Sequence, residues 1–284
     1  MPRESIIDNI RDSIKTLTNS ERKVADFIVK NTSEVTFDTI NVLAQKVGTS
    51  TTTIMRLAAK LGYSGYSDFQ HDIQKFVKDR DAPQARLISN LQNIEEDELW
   101  IQTVGYHINR LNQLVEQVDK DNLDKVVKFI EDSRKICCTC VRSGLPVGQY
   151  FSQNVNRIKG DCSLIVADVS DWVDEIISMD SRDLLVVVSF PRYAKRIDDF
   201  VRSAKKRGIK IVVITDKYSS PLVDYGDVVI PCDSGSLAFH NSPIAATVTV
   251  DYIINALAIG DSHEDDGRLG EVDDILKSID YHTK

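Results

Sequence analysis

The apolar residues of this chain change their spacing part-way along it, which divides the fold before any motif is considered. Up to about residue 80 they recur at helical intervals: Ile6, Ile10, Ile14 and Leu17, then Val24, Phe27 and Ile28, then Ile40, Leu43 and Val47, then Ile54, Leu57 and Leu61. From about residue 135 short apolar runs alternate with helical segments. The first part is expected to be all-helical and the second α/β, and 284 residues are enough for two cores. Asp79-Arg80-Asp81-Ala82-Pro83-Gln84, polar and interrupted by proline, reads as a linker. A helical stretch from Glu95 to Val118 follows, with Leu99, Val104, Ile108, Leu111 and Val115 on a stripe expected to pack on the second domain or another subunit. The expected divisions are 1–80, a linker and connecting helix over 81–118, the α/β domain over 119–260, and a tail over 261–284. That tail is acidic, with Glu264-Asp265-Asp266, and Val272, Ile275, Leu276 and Ile279 give it a short amphipathic helix.

Charge follows the same division. The whole chain carries 35 Lys and Arg against 43 Asp and Glu, a net −8 that argues against a general nucleic-acid binder. Residues 1–80, however, hold 12 against 10, which leaves 23 against 33 for the remainder. The helical part is slightly basic and the α/β part strongly acidic. No apolar run approaches the ~18 residues a membrane span requires. Met1-Pro2-Arg3-Glu4 does not open a signal peptide, and five cysteines suggest no disulfide framework, so a cytoplasmic protein is expected. Cys137-Cys138-Thr139-Cys140 contains a C-x-x-C spacing. Strand side chains alternate, so Cys137 and Cys140 should point to opposite faces and share no metal ion. No metal, cofactor or catalytic residue is expected.

Thr39 to Leu61 has the layout of a helix-turn-helix. Val42, Leu43 and Val47 are expected inward on a first helix, Ala44 allows a close crossing, and Gly48 tolerates a turn with positive φ. Ser50 is placed to cap the second helix, on which Ile54, Leu57, Ala58 and Leu61 form the buried face. Thr51, Thr52, Thr53, Arg56 and Lys60 are left outward. Hydroxyls at a helix start reach base edges or phosphates, and an arginine one turn on reads guanine or holds a phosphate. Ser50, Thr51, Thr52, Thr53, Arg56 and Lys60 are thus the candidate DNA contacts, against the alternative of a solvated helix face. The run Leu43-Ala44, Val47-Gly48-Thr49-Ser50, Thr53-Ile54-Met55-Arg56-Leu57, Leu61-Gly62-Tyr63, Gly65-Tyr66, Asp68-Phe69 closely resembles the N-terminal domain of RpiR/MurR-type bacterial transcriptional regulators. The resemblance implies a recognition helix beginning near Ser50.

In the second half, Ile136–Val141, Ser163–Ala167, Leu184–Phe190, Lys210–Thr215 and Asp227–Pro231 read as buried parallel strands. Helical patterns over Val147–Ile158, Ala194–Arg207 and Ile244–Ala258 separate them. This predicts a three-layer sandwich of flavodoxin-like order around a five-stranded parallel sheet, with its crevice beyond the ends of the first and third strands. Those ends run into Arg142-Ser143-Gly144 and Ser189-Phe190-Pro191-Arg192-Tyr193, each just ahead of a helix. Hydroxyls, arginine forks and helix N-termini are what a phosphate requires. After the fifth strand, Ser234, Ser236 and His240 are placed at the same pocket, His240 either as a ligand contact or as a helix cap. Lys205-Lys206-Arg207 reads as a helix end.

Asp121 to Ala258 looks like a SIS (sugar isomerase) domain, the usual partner of this helix-turn-helix in RpiR-type regulators. The resemblance makes Ser143 and Ser189 phosphate-contacting serines. It also marks departures: Cys140 stands where Gly-x-Gly-x-Ser has a glycine, and Ser189-Phe190-Pro191-Arg192-Tyr193 replaces Ser-x-Ser-Gly-x-Thr. The candidate ligand set is Arg142, Ser143, Gly144, Ser189, Arg192, Tyr193, Ser234, Ser236 and His240. The expectation is a regulator, a repressor of a carbohydrate-catabolism operon, acting as a homodimer or homotetramer on palindromic operator DNA, with no membrane partner. A sugar phosphate or related acidic sugar would be its effector. The alternative is a sugar-phosphate isomerase or lyase, for which Glu175 and His240 are the available bases.

Overall fold

A computed structural model describes residues 6–80, 82–91, 94, 96–167, 172–261 and 268–281; the expected acids Glu264, Asp265 and Asp266 lie outside them, as do Asp81, Glu95 and Asp171. The chain forms two compact units, Met1–Ser89 and Asn90–Lys284.

The first unit packs α1 (Ile6–Ser13), α2 (Asn19–Lys30), α3 (Thr32–Val35), α4 (Ile40–Val47), α5 (Thr51–Lys60) and α6 (Tyr66–Arg80) around one core. Ile10, Val24, Ile28, Leu43, Ile54, Leu57, Phe69 and Ile73 are fully buried in it. Between α4 and α5, Gly48 turns the chain at φ +69°, and the Ser50 hydroxyl accepts from the Thr53 N–H at 3.2 Å. Val42 is a correction: it lies outside the core, because Leu43 and Ala44 define the buried stripe and Val42 falls about 100° from Leu43. The Gly62–Phe69 run has a structural job. Gly62 ends α5 at φ +90°, Tyr63 packs edge-on against Phe69 and donates to Asp72 at 2.6 Å, and Asp68 accepts the Ser64 N–H at 3.0 Å.

Pro83 does not break the chain into an open linker. Asp79 and Arg80 complete α6, and Pro83 opens α7 (Pro83–Leu91), a position where its missing N–H costs nothing. The stretch after it becomes α8 (Leu99–Gln117). Its expected stripe is largely exposed, Val115 at 82%, while Leu111, Leu114 and Val118 meet the core of the second unit.

In that unit α9 (Lys120–Asp132) leads into β1 (Ile136–Cys140), α10 (Leu145–Ile158), β2 (Cys162–Val166), α11 (Trp172–Ser178) and β3 (Leu184–Ser189). Then come α12 (Lys195–Lys206), β4 (Lys210–Thr215), β5 (Val228–Pro231), α13 (Ile244–Asp261) and α14 (Arg268–Ser278). The five strands are parallel in the order β2-β1-β3-β4-β5, as expected from the sequence. One face buries Cys138, Cys140, Val186 and Val188 against α9, α10 and α13; the other buries Cys137, Leu185 and Val187 against α11 and α12. Cys137 and Cys140 therefore do face opposite ways, and burial pushes the Cys140 thiol up to about 12. Among the described residues no helix is long and apolar enough to cross a membrane.

Among the described residues the head buries two carboxylates, Asp38, which pairs with Lys46 at 2.9 Å, and Glu21. Glu21 is 2% exposed and accepts the Thr18 N–H at 2.8 Å in a capping box and the Lys60 ammonium at 2.6 Å. Burial alone would raise its pKa, but the bonds from Lys60 and Thr18 outweigh it and hold the carboxyl below its ordinary value. The stabilisation is present above the ordinary value of 4.5 and is lost as the pH falls through the lowered one. Lys60→Met should weaken the head by about 1–3 kcal/mol at neutral pH, with the difference shrinking in acid. Exchange of the buried α2 and α5 amides reads this directly; equal protection in both proteins would exclude a structural role for Lys60.

Candidate functional site

On α5 the exposed residues are Thr52, Met55, Arg56, Ala59 and Lys60, a single strip along the helix. Arg56 makes no hydrogen bond or ion pair among the described residues. Of the other expected contacts, Thr51 is half-buried, and Ser50 and Thr53 bond each other through their hydroxyls at 3.0 Å as part of the cap. Lys60 is 41% exposed, and its ammonium pairs with Glu21 at 2.6 Å. Met55 was not singled out, although its place one residue before Arg56 puts it on the same face.

The second site is built by the sheet. β1 and β3 are neighbours in register, Cys140 opposite Val188, so the loops that leave them open side by side. Gly144 holds the contact: a Cβ there would stand 2.9 Å from the Val188 carbonyl oxygen. Gly148, on the first turn of α10, compensates for the cysteine at the end of β1. A Cβ on Gly148 would lie 2.6 Å from the Cys140 sulfur, so the thiol occupies space this glycine leaves.

Both loop arginines adopt left-handed backbone, Arg142 at φ +52° and Arg192 at φ +67°. A side chain in that region costs roughly 1–2 kcal/mol. Arg192 stands at the glycine of Ser-x-Ser-Gly and keeps the backbone a glycine would take. Both side chains are exposed and make no hydrogen bond or ion pair among the described residues. Ser189 is buried, and neither its hydroxyl nor that of Ser143 has a partner among them. The helices that follow, α10 and α12, start without a side-chain cap, which leaves their N-terminal N–H groups and positive dipole ends directed at this crevice. Strained cations, hydroxyls and uncapped helix starts together can hold an anion.

Other expected residues are already engaged. Tyr193 donates to Asp216 at 2.6 Å, and the Ser236 hydroxyl donates to the His240 carbonyl at 2.7 Å, so both shape their loops. Ser234 is buried and His240 is exposed on the loop after β5. Asn241 of that loop donates to the Pro191 carbonyl at 3.1 Å, tying it to the β3 loop. Asp216 was missed, although an acid directly after an apolar strand was a usable signal. Burial raises its pKa against the lowering effect of the Tyr193 bond.

Glu175 is not at this crevice. It pairs with Lys135 at 2.8 Å and accepts from Ser163 at 3.1 Å, at the opposite, N-terminal ends of β1 and β2. A cleft of about 620 Å³ lies there, lined by Arg134, Lys135, Ser163 and Arg268 among others. Its cations are committed: Arg134 to Asp183 at 2.7 Å, Lys135 to Glu175, and Arg268 to the Asn156 carbonyl at 2.8 Å. Arg207, expected as a solvated helix end, donates to the Ile177 and Met179 carbonyls instead.

Residues 5–79 match the rpiR-family helix-turn-helix domain, and residues 129–259 match the SIS domain. An uncharacterised HTH-type transcriptional regulator of Clostridium perfringens is 23% identical over 256 residues, 89% of this chain and 90% of that protein. Among solved structures, the Vibrio vulnificus NanR protein complexed with ManNAc-6P superposes with a TM-score of 0.65 at 23% identity, covering 96% of this chain and 98% of that one. The sugar isomerase domain of an RpiR transcription factor from Sphaerobacter thermophilus gives 0.59 at 19% identity, over 65% and 99%. At these identities the structural likeness establishes the fold.

The strained backbone at Arg192 is separable from its charge. Arg192→Gly and Arg192→Ala both remove the guanidinium, but only glycine removes the left-handed penalty. Denaturant titration should find the glycine variant more stable than the alanine variant by about 1 kcal/mol; the reverse order would mean the loop is not strained. Gly148→Ala should cost about 1–3 kcal/mol, and Cys140→Ala in the same chain should recover part of it.

Proposed function

We propose that this chain, a member of the RpiR family that joins an rpiR-type helix-turn-helix domain to a SIS domain, is a transcriptional regulator whose SIS domain binds an acidic sugar effector. It would repress a carbohydrate-catabolism operon. The observation that carries the effector reading is the β1–β3 crevice, where Arg142, Arg192, Ser143 and Ser189 converge with two uncapped helix starts. A phosphorylated sugar suits it, because guanidinium and N–H donors replace the hydration of a dianion. The NanR structure complexed with ManNAc-6P supports that class, and ManNAc-6P is the first compound to test.

DNA binding rests on the α5 face around Thr52 and Arg56. One such helix reads too little sequence by itself, so two copies should act together on a palindrome. The exposed apolar residues Val104, Ile108 and Val115 of α8, with Val248 and Tyr252 of α13, are the surface we assign to the second copy. The acidic SIS domain repels the duplex and so favours specific over non-specific binding. An enzyme reading loses its carboxylate base, since Glu175 sits at the other end of the sheet.

Two measurements test this. In a thermal-shift screen of sugar phosphates, amino-sugar phosphates and sugar acids, an effector raises the melting temperature by mass action. Ser189→Ala should remove that rise without changing DNA binding. Against a duplex obtained by in vitro selection, Arg56→Ala should weaken binding by about 1–3 kcal/mol if it contacts a guanine, or lower the salt slope by about one if it contacts a phosphate. Wild-type affinity and wild-type salt slope in Arg56→Ala would remove α5 as the recognition helix.

A further inference from the structure

The loop after β5 is anchored from outside the sheet. Asn90, in the last turn of α7, donates through Nδ2 to two of its carbonyls, Ser236 at 3.2 Å and Ala238 at 2.6 Å. From α8, Arg110 Nη1 lies 2.6 Å from Asp233 Oδ2, and its guanidinium stands 5.0 Å over the Tyr106 ring. A Cβ on Gly235 would collide with the Tyr106 hydroxyl, so α8 closes directly over the loop backbone. Asp233 also accepts the Gly235 N–H at 2.7 Å, so one carboxylate joins α8 to the turn. His107, next to Tyr106, is held toward its neutral form by burial, then by His240 and Arg110.

The far side of the same loop faces the crevice. Asn241 bonds the Pro191 carbonyl, one residue before Arg192, and Ser236 bonds His240. A short series of bonds thus leads from the Arg192 loop through 233–241 to Asn90. Beyond Asn90 the chain is α7, and only residues 81 and 82 separate it from α6 of the head.

Resting on the effector reading above, we propose that Asn90 and Arg110 are positioning residues that make the 233–241 loop a relay. An anion entering the crevice moves the loop, and Asn90 passes that movement to α7, from which the DNA-binding head continues. The directional part is the paired amide bond of Asn90. The Arg110–Asp233 pair is about one-third exposed on each side, and ion pairs of that kind contribute little by themselves. Its role is to keep Asp233 and the Gly235 turn in place.

Coupling between two sites is reciprocal, so the relay has a consequence without any ligand. Hydrogen exchange of the full chain reads it. Asp233→Asn should speed exchange not only in the loop but also in 83–91, which Asp233 does not touch. The expected acceleration is about two- to tenfold, the worth of one lost hydrogen bond. Asn90→Asp, the same shape without the donor, should speed exchange in 236–241 by a similar factor, and Asn90→Gln should recover part of it. Buried β3 amides serve as the control and should not change. With ManNAc-6P or inorganic phosphate as the probe, wild type should gain protection at 142–145 and 189–195 and change its exchange in 83–91. Asn90→Asp should keep the first response and lose the second. Unchanged exchange of 83–91 in unliganded Asp233→Asn overturns the relay. Absence of protection at 142–145 and 189–195, with the unliganded coupling intact, overturns the effector site instead.

Discussion

The β1–β3 pairing is the interaction on which the rest of the second unit depends. A parallel pair places both carboxyl ends at one edge, and here Cys140 and Val188 meet there in register. Gly144 lets the first loop lie on the Val188 carbonyl, and Gly148 makes room for the Cys140 thiol. With that close approach fixed, the two arginines can be held in left-handed backbone at a cost the sheet absorbs. The crevice is a property of strand order first and of side chains second.

The head relies on a different device, polar groups satisfied inside a small core. Lys60 and the capping box neutralise Glu21, while Tyr66 and Gln70 both donate to the Asp38 carbonyl at 2.7 Å just ahead of α4. These bonds orient the helix-turn-helix, and they leave Arg56 as an uncommitted cation on its exposed face. A domain with so little net charge gains DNA affinity from such placed residues rather than from its bulk field.

Periodicity and turn chemistry were legible in the sequence. The strands, their order, Gly48, the Ser50 cap and the opposed cysteines follow from local rules that act on neighbours in the chain. What was not legible depends on distant partners. Lys60 and Glu21 are 39 residues apart, so nothing in the α5 pattern says that one of its cations is paired with a buried acid. Glu175 is an available carboxylate on the helix after the second strand, but Lys135 and Ser163 hold it at the N-terminal end of the sheet. Pro83 reads as a break in the sequence, whereas the chain uses it as a helix start. The stripe on α8 has helical spacing, and spacing alone does not separate a face that packs within one chain from one that stays exposed.

Binding of an acidic sugar between the β1 and β3 loops is what would make this chain a sensor. Backbone amide spectra of the full chain titrated with ManNAc-6P test it most directly. Signals of 142–145 and 189–195 should shift together along one binding curve, and Ser189→Ala or Arg192→Ala should weaken that curve. Shifts confined to Arg134, Lys135 and Ser163 at the opposite end of the sheet would contradict it.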